Sequence, residues 1–563
     1  MKKIIPVLIA VFMIIVIAVI GVGARLMEKY SYSKERADLT EYFEVRGEGD
    51  VPVILQDERI EEHARLIDGV CYFDLATVHK YFNDRFFLDT KEGLLLYTLP
   101  DAIVSTLIGE QTVSVGTDGS TRDYIIARYE GDVLYVAADF VKEYSNFSYT
   151  LYTDPYRMQV YTEWNPRQTA TILKDTQVRY QGGVKSDILT DVAKGTEVTV
   201  LEEMENWSKV KAEGAFIGYV ENKRLSEQTT VEPVPVTDYV EPVYTSNTRD
   251  HKINLAWHVV ASVAGNDTLV PMLAEAKSVN VVSPTWFALS DNAGNFTSFA
   301  SQNYVDTAHD MGLEVWALVD NFTNPDVDTY EVLAGLSTRQ HLIDGLIGAA
   351  LQYRLDGINI DFENISLDAG EPFVEFIREL SIPCRQNGIV LSVDNYVPMG
   401  YTDHYDREEQ GIVADYVIIM GYDEHHKNSE TAGSVASIDF VENGIANTVA
   451  QVPAQKVINA IPLYTRIWET KGTSVSSQAV GIGTAKQYIA DHGIVTAWDE
   501  TTCQNYGEYQ SGDSYYQIWM EDEESIRVKL NIMSKYGIAG VAEWQLAFAT
   551  DSVWDVIAEY MNQ

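Results

Sequence analysis

The stretch Asp356-Gly357-Ile358-Asn359-Ile360-Asp361-Phe362-Glu363 decides how this chain is read. Side chains alternate faces along a β-strand, so Asn359, Asp361 and Glu363 share one face while Ile358, Ile360 and Phe362 share the other. Burying carboxylates is costly unless they are paired, and no Lys or Arg is evident at the neighbouring strand ends to pair these. The stretch is the fourth of eight apolar runs, which begin near Ile253, Val279, Leu313, Asp356, Ile389, Asp415, Val457 and Ile538. Amphipathic segments separate them, such as TRQHLIDGLIGAALQYRL (338–355) and EPFVEFIRELSIPCRQNG (371–388). Near-continuous apolar strands alternating with helices indicate a parallel sheet. Eight such units over 250–563 predict an α/β fold of the (β/α)8 type rather than a doubly wound sheet. In a barrel the apolar set packs against the outer helices. The polar set points inward and rises toward the C-terminal mouth, with Glu363 highest.

Upstream, the chain reads as several further pieces. Ile4–Ala24 is an unbroken apolar run after Met1-Lys2-Lys3, about 31 Å long as a helix and sufficient to cross a bilayer. Its Ile, Val, Leu and Phe residues favour insertion by roughly 4–8 kcal/mol. Residues 1–25 are therefore read as a transmembrane anchor, with Lys2 and Lys3 favouring a cytoplasmic N-terminus. The alternative is a signal peptide cleaved near Gly21-Val22-Gly23-Ala24. Either way the rest of the chain lies outside the cytoplasm. Residues 45–165 alternate short β-rich runs with brief amphipathic pieces, a small α+β domain. Residues 168–227 read as a compact all-β unit, with Trp207 and Tyr219 expected in its core. Residues 228–249, rich in Pro and acidic residues, read as a semi-rigid linker.

Composition narrows the function classes. Among 563 residues, 41 Lys and Arg face 83 Asp and Glu, a formal charge of −42, which excludes a nucleic-acid partner. A hydrophobic content of 46% is that of a globular protein. Cys71, Cys384 and Cys503 are far apart and outside any CxxC spacing, so they read as free, buried thiols rather than a disulfide framework or zinc site. No cofactor or metal is called for. His425-His426 is the one pair that suggests a metal, but adjacent loop residues rarely face one ion. The 34 Tyr and 10 Trp supply flat apolar faces on which sugar rings stack, although most belong in cores and on sheets.

At this point the sequence resembles glycoside hydrolase family 18, the chitinases and related N-acetylglucosaminidases. The family motif DxxDxDxE is matched by 356–363, the sixth-strand motif by Met420-Gly421-Tyr422-Asp423, and the last-strand tryptophan by Trp544. The segment YYQIWMEDEESIRVKLNIMSKYGIAGVAEWQL (515–546) is similar to the family's final βα unit, with Trp519, Glu521, Asp522 and Ser525 in the expected order. The resemblance implies that Glu363 is the general acid and base. It implies that Asp361 holds the N–H of the substrate's 2-acetamido group and that Tyr422 orients its carbonyl. Asp423 would hydrogen-bond the sugar and Trp544 would stack on it, with Met420 and Tyr464 (and Arg466 beside it) as further substrate contacts. Asp320, Asn321 and Phe322 at the end of the third strand, and Asp394, Asn395 and Tyr396 at the end of the fifth, are expected to line the cleft. Of these, Asp320 and Asn395 are taken as substrate-binding, with strand-end turn chemistry as the alternative.

One position departs from the family. Where it carries an Asp beneath the Asp361 equivalent, this chain has Asn359, taken as a substrate-binding residue and expected to let Asp361 ionise more readily. The forms DGxNxDFE, MGYDEHH and PLYTRIW look like the branch containing spore-cortex and spore-germination enzymes, which implies peptidoglycan rather than chitin as the polysaccharide partner. The 168–227 unit resembles the bacterial SH3 domain. The 45–165 rhythm resembles the stalk domain of copper amine oxidases. The competing readings are a non-catalytic sugar-binding scaffold on the same fold and an unrelated metal-dependent barrel hydrolase. Oligomeric state is open.

Overall fold

A computed structural model describes residues 4–235 and 237–563, so Lys2 and Lys3 lie outside the described residues. The apolar run forms one helix, Ile5–Tyr30, longer than the 1–25 segment read from sequence. None of its residues is buried, and by length and composition it can cross a membrane, a property it shares with signal sequences.

The remaining chain forms two compact units. The first comprises the chain up to Phe86, Thr106–Val113 and Gly119–Glu241; the second comprises Phe87–Ser105, Ser114–Asp118 and Pro242–Gln563. The first unit contains a seven-stranded antiparallel sheet running from Arg167–Thr171 to Thr229–Val231. Its core is Ala170, Val178, Leu189, Val198, Val210 and Val220. Trp207 and Tyr219 are not in that core. Ser208 and Val210 on one strand, and Gly218 and Val220 on its partner, take the inward positions. The two aromatics alternate to the other face, where both stand against Gly182.

The second unit is built on eight parallel strands: β1 (Ile253–His258), β2 (Val281–Leu289), β3 (Glu314–Asp320), β4 (Gly357–Asp361), β5 (Val390–Tyr396), β6 (Tyr416–Met420), β7 (Val457–Pro462) and β8 (Gly540–Trp544). Each pairs with its sequence neighbours, and β1 pairs with both β2 and β8, which closes the barrel. Alternation separates two apolar layers. Leu255, Trp257, Trp316, Leu318, Tyr416 and Ile418 fill the lumen. Ile358, Ile360 and Phe362 pack outward against the helices, as read from sequence. Trp316 stacks on Tyr416 at 5.4 Å between ring centres. A Cβ at residue 357 would stand 2.7 Å from the Trp316 indole, so only glycine fits there. Between β7 and β8 the chain inserts a five-stranded antiparallel sheet, from Tyr464–Lys471 to Ser514–Met520.

Residues 87–105, placed by sequence within the upstream 45–165 segment, pack on two barrel helices, Leu336–Tyr353 and Gly370–Asn387. The first helix begins after Gly335, which has no capping side chain. Its free N–H groups are satisfied from afar: Leu336 N–H donates to Asp89 Oδ2 and Ser337 N–H to Glu92 Oε1, both at 2.6 Å. Carboxylates there also complement the helix dipole. Beneath them Arg339 is fully buried. Its Nε and Nη2 donate to Glu379 Oε1 at 3.0 and 2.8 Å, its Nη1 donates to the Leu333 carbonyl, and its guanidinium lies 5.0 Å from the Phe87 ring centre. Cys71 and Cys384 are buried free thiols, whereas Cys503 is half-exposed.

Replacing Arg339 with Met keeps the volume but strands the Glu379 carboxylate. Thermal unfolding of the full chain should show a loss of about 3–5 kcal/mol for the unit that contains the barrel. An unchanged transition would mean that this ion pair does not hold the barrel helices together.

Candidate active site

The polar face of β4 meets the polar faces of its neighbours at the C-terminal mouth. Asp320 and Asp361 are register partners across β3 and β4. Asp394 on β5 stands one step beyond the pair Ile360–Val393, beside Asp361. Three carboxyl groups therefore occupy one row across three adjacent strands, whose axes lie about 4.8 Å apart.

Each is held differently. Asp320 accepts the backbone N–H groups of Phe322 and Thr323 at 3.1 and 2.8 Å and the Thr323 hydroxyl at 3.0 Å. Its carboxylate is thus spent on the strand-end turn rather than presented to a ligand. Asp394 Oδ1 accepts the Asn359 amide at 2.9 Å. Asp361 Oδ1 is buried without a protein donor. Burial raises the pKa of Asp361, and the charges of Asp394, Glu363 and Asp320 raise it further. Asn359 cannot add a charge beside Asp361, but Asp394 on the neighbouring strand supplies a second carboxyl group there.

Asn359 itself is completely buried and bonded on every side. Its Oδ1 accepts the Trp257 indole N–H at 2.9 Å and the Ser283 hydroxyl at 3.2 Å; its Nδ2 donates to Ser392 Oγ at 3.1 Å and to Asp394. An indole nitrogen can only donate, so it fixes which end of the amide faces β5.

Glu363 follows β4 and is half-buried. Asn321 holds it by its backbone: the Glu363 N–H donates to Asn321 Oδ1 at 2.8 Å, and Asn321 Nδ2 donates to the Glu363 carbonyl at 2.9 Å. The Tyr396 hydroxyl donates to Glu363 Oε2 at 2.6 Å. Burial raises the Glu363 pKa, the Tyr396 hydrogen bond opposes this, and the charges of Asp423 and Asp320 add to it.

Tyr422 packs against the lumen cluster, and its pKa is raised by burial and then by the charge of Asp361. Gly421 precedes it because a Cβ there would meet the Ala460 carbonyl at 2.7 Å. Asp423 adopts φ +59°, a left-handed conformation that Asp tolerates better than most residues. There it accepts the Tyr464 hydroxyl at 2.5 Å and lies 3.8 Å from the Arg466 guanidinium. Met420 closes β6 level with Tyr396 and Ala460. Trp544 closes β8, edge-on to Trp257 at 5.9 Å.

Glu363, Asp361, Tyr422, Asp423, Trp544, Met420, Tyr464, Asp320 and Asn359 thus converge at the mouth or directly beneath it. Asn395 does not. It is buried on the helix side of β5 and exchanges hydrogen bonds with Gln410 at 2.7 and 3.3 Å. Its neighbours Asp394 and Tyr396 take the lumen face, as a count of two from Ser392 assigns them. His425 is tied to the loop below it, its Nδ1 2.9 Å from the Ser434 carbonyl. Among the described residues no group of three His, Cys, Asp or Glu side chains is arranged to hold a metal. Glu521 is buried in a pair with Lys529 at 2.9 Å, and Asp522 caps the helix Glu523–Tyr536. Both support the barrel rather than line its mouth.

The glycosyl hydrolases family 18 pattern matches residues 217–549, more than half of the chain, and the bacterial SH3 domain pattern matches 174–226. The chain is 26% identical over 293 residues to "Uncharacterized glycosylase YvbX" of Bacillus subtilis (strain 168), covering 50% of this chain and 84% of that protein. It is 22% identical over 241 residues to the cortical fragment-lytic enzyme of Bacillus anthracis, covering 41% of this chain and 55% of that enzyme's length. The crystal structure of the Bacillus cereus spore cortex-lytic enzyme SleL shares the fold, with a TM-score of 0.51, 20% identity, and coverage of 59% of this chain and 78% of that one. The eight-stranded barrel, its acidic fourth strand and the extent of the family match place this chain among the glycoside hydrolases of family 18.

Proposed function

We propose that the barrel hydrolyses β-1,4 bonds of an N-acetylglucosamine-containing cell-wall polymer with retention of configuration, and that the substrate's own acetamido group is the nucleophile. The observation that carries this reading is Asp361: a buried carboxyl with an unfilled acceptor atom, between Glu363 and Asp394 and facing Tyr422. Family 18 departs from the two-carboxylate scheme in that the substrate assists. Glu363 gives its proton to the glycosidic oxygen as that bond to C1 breaks. The acetamido carbonyl oxygen bonds to C1 from the opposite face, its N–H held by Asp361 and its carbonyl by Tyr422. Glu363, now a carboxylate, takes a proton from a water molecule that attacks C1 and reopens the ring. Two inversions at C1 leave the configuration unchanged. A raised Glu363 pKa suits a group that must begin protonated. Asp423, held by Tyr464 and Arg466, would hydrogen-bond the sugar, and Trp544 would lie beneath it.

Peptidoglycan is the favoured polymer over chitin, supported by the cortex-lytic relatives. In this reading the N-terminal helix anchors the chain to the membrane.

Two measurements test the reaction. Release of reducing ends from purified peptidoglycan and from chito-oligosaccharides is compared for the full chain and its Glu363→Gln form. The variant should lose activity by about 10²- to 10⁴-fold. Binding of both polymers without cleavage by either protein would make the barrel a sugar-binding scaffold. Second, Tyr396→Phe removes the donor that stabilises the Glu363 carboxylate, so the Glu363 pKa rises. Because the protonated form is the acid, the alkaline limb of the kcat/KM profile should move up by about one pH unit. A limb that stays in place would detach that titration from Glu363.

A further inference from the structure

We infer that Asp394 is the positioning carboxyl group of this site: it shares a single proton with Asp361 across β4 and β5 and takes over the place that Asn359 vacates. The inference rests on the reaction proposed above and assigns it a residue on a different strand.

Geometry comes first. Asp361 and Asp394 are side by side in the row, both buried. Beneath them the Asn359 amide is clamped, its carbonyl end by Trp257 and Ser283 and its N–H end by Ser392 and Asp394. An amide has no proton to give up, so residue 359 cannot exchange one with Asp361. It can only steady Asp394. Were residue 359 an Asp in the same pose, one of its oxygens would stand 2.9 Å from Asp394 Oδ1, too close for two carboxylates without a proton between them. Asn at 359 and Asp at 394 are thus complementary. Together they make one hydrogen bond and provide one titratable group where two acids would repel.

The surrounding charges set how many protons the pair keeps. The titratable groups around it are Asp320 on β3, Glu363 after β4, Tyr396 on β5, Tyr405 after β5, and Tyr422 and Asp423 after β6, with no Lys or Arg among the groups acting on either acid. Asp320 has three donors of its own to stabilise its charge, whereas the pair has only Asn359. Two neighbouring buried carboxyls titrate as a unit, and one proton is retained. When an acetamido N–H arrives, Asp361 must accept it as a carboxylate. The proton then passes from an Asp361 oxygen to an Asp394 oxygen, and the pair's net charge stays at −1.

An exchange of the two side chains tests this in the full chain. Asp394→Asn should lower kcat by about 100-fold with a smaller change in KM, and the limb reporting the acid pair should move down by about one pH unit, since a like charge has been removed. The exchanged variant N359D/D394N keeps the hydrogen bond with its polarity reversed and restores the carboxyl group, so kcat should return to within a few-fold of the original. A readout that needs no turnover is the infrared band of a protonated carboxyl at neutral pH: the D394N difference spectrum should lose it and the exchanged variant should regain it. Loss in D394N with no recovery of kcat or band in the exchanged variant would overturn the inference, as would a D394N enzyme with unchanged band and pH profile. If the original chain cleaves neither polymer, the reaction proposed above fails, and the infrared comparison still decides the proton sharing.

Discussion

The structure turns on a desolvated row of acids at the barrel mouth that no cation among the described residues compensates. Asp320, Asp361 and Asp394 stand on adjacent strands above a lumen packed with Trp257, Trp316 and Tyr416. Those rings leave little space for water beneath the acids, and at low local dielectric each charge acts strongly on the next. The protein therefore relies on donors that cannot neutralise charge: Asn359 for Asp394, turn N–H groups for Asp320 and the Tyr396 hydroxyl for Glu363. Asp361 is the member left without one.

Precision at the mouth comes from residues behind and beside it. Glu363 lies past the end of β4, where a side chain could wander, but Asn321 grips its backbone from both sides. Asp423 is the most exposed of the candidate groups. It is fixed by its left-handed backbone and by Tyr464 and Arg466, which come from the inserted sheet. The insertion between β7 and β8 is in this way a wall of the site and not an appendage.

Much of this was legible in the sequence. All eight strands begin within a few residues of where the apolar runs begin, because a strand buried on both faces leaves an apolar block between turn residues. The period-2 reading of 358–363 separated lumen from helix face correctly. What failed was long-range. Asp394, Asn395 and Tyr396 are consecutive, but alternation along β5 admits only Asp394 and Tyr396 to the lumen and turns Asn395 to the helix side. Trp207 and Tyr219 were given a core that smaller residues on their own strands occupy. Nothing local to residues 87–105 announces that Asp89 and Glu92 cap a helix that begins at Leu336. Its weak start after Gly335 is visible in the sequence, but the partner is not.

The same unit offers an internal contrast that bears on why the lumen acids are bare. Between its helices several buried acids are matched, although Glu543, on the helix side of β8, has no partner for either carboxyl oxygen. Arg339 pairs with Glu379, and Arg378 donates to Glu409 at 2.7 Å and to Glu375 at 3.1 Å, with Thr98 completing Glu375. An arginine in such a pair keeps its own proton and opposes the effect of burial on its partner, although burial still raises the Glu379 pKa to about 7. An arginine in the lumen would lower the pKa values of both Asp361 and Glu363, against the direction that burial gives them. Leaving the row without a cation costs stability. On the reaction proposed above, this leaves protons free to move between groups in the lumen, as acid–base chemistry at Glu363 would require.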